Sequence, residues 1–240
     1  MLSVDLDQSD RLVQWRCPYP DCAGFSLPIE SSAVAAPVCP VCLRPFTPRS
    51  AVHFEEMQKK VKSNPQAPSI VPPAPCDLVV VIEDLRSLHN VGAVFRTADG
   101  AGFSAIYLCG ITGLPPRKEI AKVSLGAEDF VPWQFRPFIA GCLQELKSAN
   151  FCLVALEKND ISSPLYRCLQ EGKLRRPLAL VVGNEVSGVS REAQYYCDQV
   201  CHLSMRGQKE SLNVSVAFGA AAYLISEFFS FSGNTICQEI

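Results

Sequence analysis

No excess charge of either sign marks this chain. Twenty-two Lys and Arg stand against 24 Asp and Glu in 240 residues, a formal net charge of -2, so no global field draws it to a polyanion. A nucleic-acid partner has to be argued from local sites. Long apolar runs are equally scarce. The opening MLSVDLDQSD carries acids where a secretory leader needs a basic start, and no apolar stretch follows before Trp15, so a secretory route is not expected. The one long run, NVSVAFGAAAYLISEFFSF at 213–231, contains Asn213, Ser215, Ser226 and Glu227, is rich in Ala and Gly, and lacks flanking basic anchors. It reads as a closely packed buried helix rather than a membrane span. A G-x-G-x-x-G turn is missing too: VIEDLRSLHN at 81–90 has none after the first strand, which removes a Rossmann-type dinucleotide site.

What remains is ample for a folded protein, since hydrophobic residues make up 48% and charged residues 19%, the balance of a globular chain with a real core. Cysteine is abundant. Twelve cysteines without a secretory signal argue against a disulfide framework and for a reducing, cytoplasmic setting. Four of them are paired by spacing in WRCPYPDCAGFSLPIESSAVAAPVCPVCLRPF, residues 15–46. Cys17 with Cys22, and Cys39 with Cys42, suit a tetrahedral zinc ion, because thiolates at the ends of two short turns converge on one metal. Cys39-Pro40-Val41-Cys42 is the tighter knuckle, Cys17–Cys22 being looser by two residues; the alternative is four ordinary buried thiols. Such a zinc would be structural, since four thiolates leave no position for water or substrate, and a segment this short would scarcely fold without it.

A helix is expected over FEEMQKKVKS, residues 54–63, followed by NPQAPSIVPPAPCD, residues 64–77, where proline recurs too densely for helix or central strand. The expected organisation is therefore a zinc-ribbon-like segment at 1–50, a short helix and proline-rich linker at 51–75, and a larger domain at 76–240. There the texture changes to apolar runs at 78–83, 105–110, 152–157, 178–185 and 199–204, with helical stretches at 91–101, 137–149, 190–197 and 212–230. Alternation of this kind predicts an α/β fold with a mostly parallel sheet covered by helices, and places any ligand beyond the carboxyl ends of the strands.

Three clusters lie there. In EDLRSLHNVGAVFRTADGAG (83–102), Asn90 is a natural N-cap for a helix whose core stripe is Val91, Val94, Phe95 and Ala98. At about 100° per residue, Gly92, Arg96 and Asp99 share a second face. Periodicity alone favours an i,i+3 ion pair between Arg96 and Asp99 over a site role. In VVGNEVSGVS (181–190), Gly183 at a strand's end lets a ligand approach the backbone, and Glu185 is either a helix-terminal charge or a site carboxylate. In HLSMRGQKESLNVSVAFGAAAYL (202–224), a polar loop runs into Ser211 and Asn213, and a small-residue stripe of Ser215, Gly219 and Ala222 permits close approach of another helix. Ser211 alone reads as an N-cap.

Taken in order, NVGAVFRTADGAG, VVGNEVSG, and LSMRG with SLNVSVA resemble the three motifs of the SpoU/TrmH-like branch of the SPOUT RNA methyltransferases. KVSLGAEDFVPW (122–133) is similar to the serine-glycine-alanine piece between the first two motifs. The resemblance covers residues 78 to about 230 and not the cysteine-bearing segment; Leu88-His89 stands where many relatives have an acidic residue and proline.

The resemblance implies an α/β domain with a trefoil knot near its C-terminus, S-adenosylmethionine held in the knot, an obligate homodimer, and methyl transfer to a ribose 2′-hydroxyl of tRNA or rRNA. It implies that Arg96 activates that hydroxyl, that Asn90, Glu185, Ser211 and Asn213 are the other functional polar residues, and that Gly183, Leu203 and Leu212 hold the cofactor, mainly through backbone groups. Because a guanidinium keeps its proton near neutrality, a bidentate grip on the adjoining phosphate that stabilises the developing alkoxide is the better chemistry for Arg96 than general base. Arg16, Arg44 and Arg49 are available phosphate contacts on the zinc segment. The competing class is a zinc-ribbon RNA-binding or scaffold protein whose methyltransferase-like domain does not turn over.

Overall fold

A computed structural model of the chain describes residues 12–15, 27–30, 77–136 and 138–234, in two compact units, Met1–Asn64 and Pro65–Ile240. In the first unit β1 (Leu12–Trp15) and β2 (Leu27–Glu30) pair antiparallel, with Leu12 opposite Glu30 and Trp15 opposite Leu27. Cys17 and Cys22 belong to the connection between these strands. They lie outside the described residues, as do Cys39, Cys42, the expected helix at 54–63 and the proline-rich linker.

The second unit is built on a seven-stranded sheet. Its strands are β3 (Leu78–Glu83), β4 (Ala105–Cys109), β5 (Trp133–Arg136), β6 (Cys152–Leu156), β7 (Ser163–Pro164), β8 (Leu178–Val182) and β9 (Gln199–His202), in the order β5-β4-β3-β8-β6-β9-β7. Every pairing is parallel. Burial explains why continuous apolar runs form these strands: all of LVVVIE in β3 and all of LALVV in β8 are shielded, as expected when helices cover both faces. Along β3, Leu78, Val80 and Ile82 join one core, and Val79 and Val81 the other, the alternation that a pleated strand imposes.

Helices α1 (Leu88–Gly100), α2 (Lys118–Ser124), α3 (Ala127–Phe130), α5 (Leu165–Gln170) and α7 (Val214–Asn234) contribute to the first core. Helices α4 (Ile139–Ser148) and α6 (Arg191–Tyr196) contribute to the second. Strands β8 and β9 are each inserted between strands that precede them in sequence, β8 between β3 and β6, and β9 between β6 and β7. The direction in which successive strands are added to the sheet reverses at β3/β8, and the loop after β8 stands beside that point. The C-terminal part of the chain, near which the resemblance implies a knot, supplies β8, β9, their following loops and α7.

Helix α7 is long and apolar enough to cross a membrane by length and composition; Phe218, Ala221, Ala222 and Ile225 are fully shielded in the protein's own core, but they are the only buried residues of the 18-residue window, so the helix is less buried than its sequence suggests. Its small-residue stripe faces α1: a Cβ built at Gly219 would stand 3.6 Å from the Thr97 methyl. Two differences from expectation concern α1. It begins at Leu88, one turn earlier, and its N-cap is Ser87, whose hydroxyl accepts the Asn90 amide at 3.3 Å; the earlier start leaves the Asn90 side chain free for other work. Gly92 does not share an open face with Arg96 and Asp99. It is buried beneath α2, with Ile120 O only 2.6 Å from where a Cβ would be.

Candidate active site

Beyond the ends of β6, β8 and β9 lies a cleft of about 340 Å³, within the size range of small-molecule sites. Gly183, Glu185, Leu203, Ser211, Leu212 and Asn213 all line it. Residues from segments almost thirty positions apart meet because β8 and β9 run parallel on either side of β6, which sends the loops that follow to one edge of the sheet. Its charged lining residues are Glu157, Glu185, Glu210 and Lys158, an acidic excess that suits a ligand bearing positive charge.

The polar residues are joined to one another. Glu185 accepts the Ser87 amide at 2.8 Å and the Arg86 amide at 3.1 Å, placing a carboxylate at the N-terminus of α1, where unpaired N–H groups and the helix dipole favour negative charge. Asn90 donates Nδ2 to Glu185 Oε1 at 3.2 Å, and its Oδ1 accepts Asn213 Nδ2 at 3.3 Å. Asn213 in turn accepts the Ser215 amide at 2.9 Å and the Ser215 hydroxyl at 2.7 Å. Asn213, not Ser211, therefore satisfies the start of α7, and Ser211 is left exposed on the rim. Partial burial works against ionisation of Glu185, but the N–H groups of Ser87, Glu185 itself and Arg86, with the Asn90 amide, outweigh it and hold the carboxyl below its ordinary range.

Gly183 lines the cleft and is also required by its own loop. A Cβ there would fall 2.1 Å from Gly188 O, because Asn184 and Gly188 close a tight turn through Asn184 N to Gly188 O at 3.0 Å and Gly188 N to Asn184 O at 2.9 Å. Strand β8 stops at Val182 for the same reason, short of the expected residue 185. The Asn184 side chain fills the turn, accepting the amides of Val186 at 2.9 Å and Ser187 at 3.2 Å while donating to Asp84 O at 2.7 Å.

Arg96 stands apart. It is exposed on the outer face of α1 and does not line the cleft of its own chain. Among the described residues it forms no ion pair with Asp99, so the pairing that periodicity favoured is not made. A helix places residues 90 and 96 more than a quarter-turn apart; Asn90 turns to α7 and Arg96 to solvent.

Sequence reasoning missed Ser87, Asn184, Glu157 and Ser215. Glu157 was concealed as the last residue of an apparent strand, although the rule that sites gather at strand ends pointed to it. Asn184 was hidden by its neighbours, and a side chain that bonds its own turn announces itself only by the Asn-x-x-x-Gly spacing.

A parallel sheet covered on both faces, with a linked polar set and a cleft beyond the ends of β6, β8 and β9, defines an α/β domain with a candidate ligand site. Residues 77–223 match the family model described as SpoU rRNA Methylase family, and the chain belongs to that family. It is 32% identical over 146 residues to the 23S rRNA (guanosine-2′-O-)-methyltransferase RlmB of Bordetella pertussis, covering 61% of this chain and 58% of that protein. The chain thus spans about three fifths of the length of the curated relatives it matches. The crystal structure of the A. aeolicus TrmH/SpoU tRNA modifying enzyme superposes with a TM-score of 0.60 at 27% identity, over 75% of this chain and 86% of that one. AviRb from Streptomyces viridochromogenes in complex with the cofactor AdoMet gives a TM-score of 0.60 at 21% identity, over 68% and 64%, a likeness of fold.

Proposed function

We propose that this chain is an S-adenosylmethionine-dependent RNA methyltransferase that modifies a ribose 2′-hydroxyl of tRNA or rRNA. The observation that carries the reading is the hydrogen-bonded set Glu185–Asn90–Asn213 at the mouth of the cleft lined by Gly183, Leu203 and Leu212, in a family whose relatives are named for that chemistry. The cleft's acidic lining and apolar walls fit a cationic nucleoside cofactor, which when bound supplies a methyl group on a sulfonium. Leu203 and Leu212 offer apolar surface to it, with backbone groups of the three cleft loops as polar partners.

A hydroxyl is a poor nucleophile near neutrality, so the protein's task is to orient it in line and help its proton leave. Arg96 grips the adjoining phosphate with its planar fork and stabilises the oxygen as it loses the proton. Asn90, Glu185 and Asn213 fix the start of α1 against the start of α7, and Ser211 meets the ribose from the rim.

The partner in this reading is a second copy. Val216, Tyr223 and Phe231, 49 to 72% exposed, leave an apolar stripe along α7, the kind of surface that subunit contact covers. Arg96, absent from its own cleft, then serves the cleft of the other chain. The N-terminal unit is assigned structural zinc on Cys17, Cys22, Cys39 and Cys42 from its donor set, and a share in holding RNA. A cytoplasmic location accords with Cys109, Cys142, Cys152, Cys168, Cys197 and Cys201 all being free thiols.

Incubation with methyl-tritiated S-adenosylmethionine and total RNA from a methylation-deficient strain, followed by digestion to nucleosides, tests the assignment. Label in a 2′-O-methyl nucleoside supports it; label on a base, or none, refutes it.

A further inference from the structure

The turn after β8 is held from both sides. On the β3 side Glu185 reaches out of it to the N-terminus of α1. On the β6 side a second carboxylate reaches in: Glu157 accepts the Val189 amide at 2.7 Å through Oε2 and the Lys158 amide at 2.9 Å through Oε1. The fit is close, for a Cβ at Gly188 would lie 1.9 Å from Glu157 Oε2, and Gly188 holds φ +67°. Val189 is 3% exposed, so without Glu157 its amide would be left without a partner in a largely dry setting. Glu157 also lines the cleft, with Gly183, Asn184 and Gly188 beside it.

We propose that Glu157 is a positioning residue for the cofactor, a strut that fixes the Gly183–Gly188 turn at the distance from β6 at which the cleft accepts its ligand. The inference rests on the reading of this cleft as the S-adenosylmethionine site. Glu157 is not needed to place Asn90 or Arg96, because Glu185 secures that side of the turn independently. Its loss therefore opens one wall of the cleft and leaves the RNA-facing side in place.

The test is titration calorimetry with S-adenosylmethionine on the full chain, paired with steady-state kinetics on RNA and hydrogen exchange at residues 184–189. Glu157→Ala is expected to weaken cofactor binding about tenfold or more, the cost of one orphaned buried amide. Turnover at saturating cofactor and the KM for RNA stay within about twofold, and exchange at Val189 accelerates while β3 and β8 remain protected. Glu157→Gln, which keeps the shape and one carbonyl acceptor, recovers part of the affinity. Gly188→Ala, pushing the carboxylate from the other side, reproduces the affinity loss.

Unchanged affinity in Glu157→Ala overturns the proposal. So does a joint loss of thermal stability and cofactor affinity with a rise in the KM for RNA in both Glu157 variants, which would make the residue a support of the fold alone. A wild-type chain that takes up no cofactor overturns the cleft assignment and this inference with it, a result distinct from a wild type that binds and a variant that binds equally.

Discussion

Asn90 and Glu185, 95 residues apart in sequence, meet through a 3.2 Å hydrogen bond from the Asn90 amide to the Glu185 carboxylate. That contact ties the start of α1 to the turn after β8, and the Asn213 bond to the same Asn90 ties both to α7. Three motifs that are remote in the chain are thus one structural unit at the cleft.

The depressed Glu185 pKa makes that unit sensitive to acid. A carboxyl whose folded pKa lies below its unfolded value stabilises the fold at pH above the unfolded value, about 4.3, and loses the contribution as pH falls through the folded value. Unfolding by denaturant at stepped pH should show wild type losing stability across this acid window, with Glu185→Gln less dependent on pH there and weaker at neutrality. Identical pH profiles for the two proteins would contradict the assignment.

Two helix glycines should respond oppositely to alanine. Gly92→Ala drives a Cβ to 2.6 Å from Ile120 O on α2, and should cost about 1–3 kcal/mol in chemical denaturation, as overpacking does. Gly219→Ala meets only ordinary contact at 3.6 Å from Thr97, and should be neutral or gain up to about 1 kcal/mol from helix propensity. Equal losses at both sites would argue against the α1–α2 crossing.

Arg96→Ala should lower turnover by about 10²–10³, the effect of removing a charge-stabilising donor, with cofactor affinity little changed because its proposed grip is on the RNA phosphate and not on the cofactor. Arg96→Lys separates shape from charge: the bidentate grip predicts that most activity is lost, and retention of most turnover under saturating RNA shows that charge alone suffices.

Metal analysis of the purified chain should give about one zinc per molecule, lost on replacing Cys39 and Cys42 with serine. Absence of zinc in the wild type would leave those four cysteines as ordinary thiols.

The sheet was legible because its strands are buried on both faces: LVVVIE, AIYLC and LALVV are continuous apolar runs too short to cross a bilayer as helices, and their glycine or charged ends mark the turns. The short β5 and β7, and the helices α2, α3 and α5, carry too few residues for a period to declare itself. Of the site, the polar residues were readable only through their resemblance to known motifs, since Asn90, Glu185 and Ser211 each had a sufficient local explanation and Asn213 stood in a polar loop without one. The bonds joining Asn90, Glu185 and Asn213 are tertiary and leave no local signal. The same applies in reverse to Arg96, whose expected ion pair with Asp99 was a local explanation that the fold does not use, and to Gly183, whose role emerges only from the backbone of Gly188 pressed against it.

The central claim is that Arg96 of one chain and the cofactor cleft of another act on one hydroxyl. Arg96→Ala and Gly183→Ala homodimers are each expected to be inactive, the first for want of the guanidinium and the second because its Cβ falls 2.1 Å from Gly188 O. A doubly tagged heterodimer of the two holds one intact pairing, and should turn over at about half the wild-type rate, since a two-fold symmetric dimer has two sites. A heterodimer no more active than its parents would contradict the account.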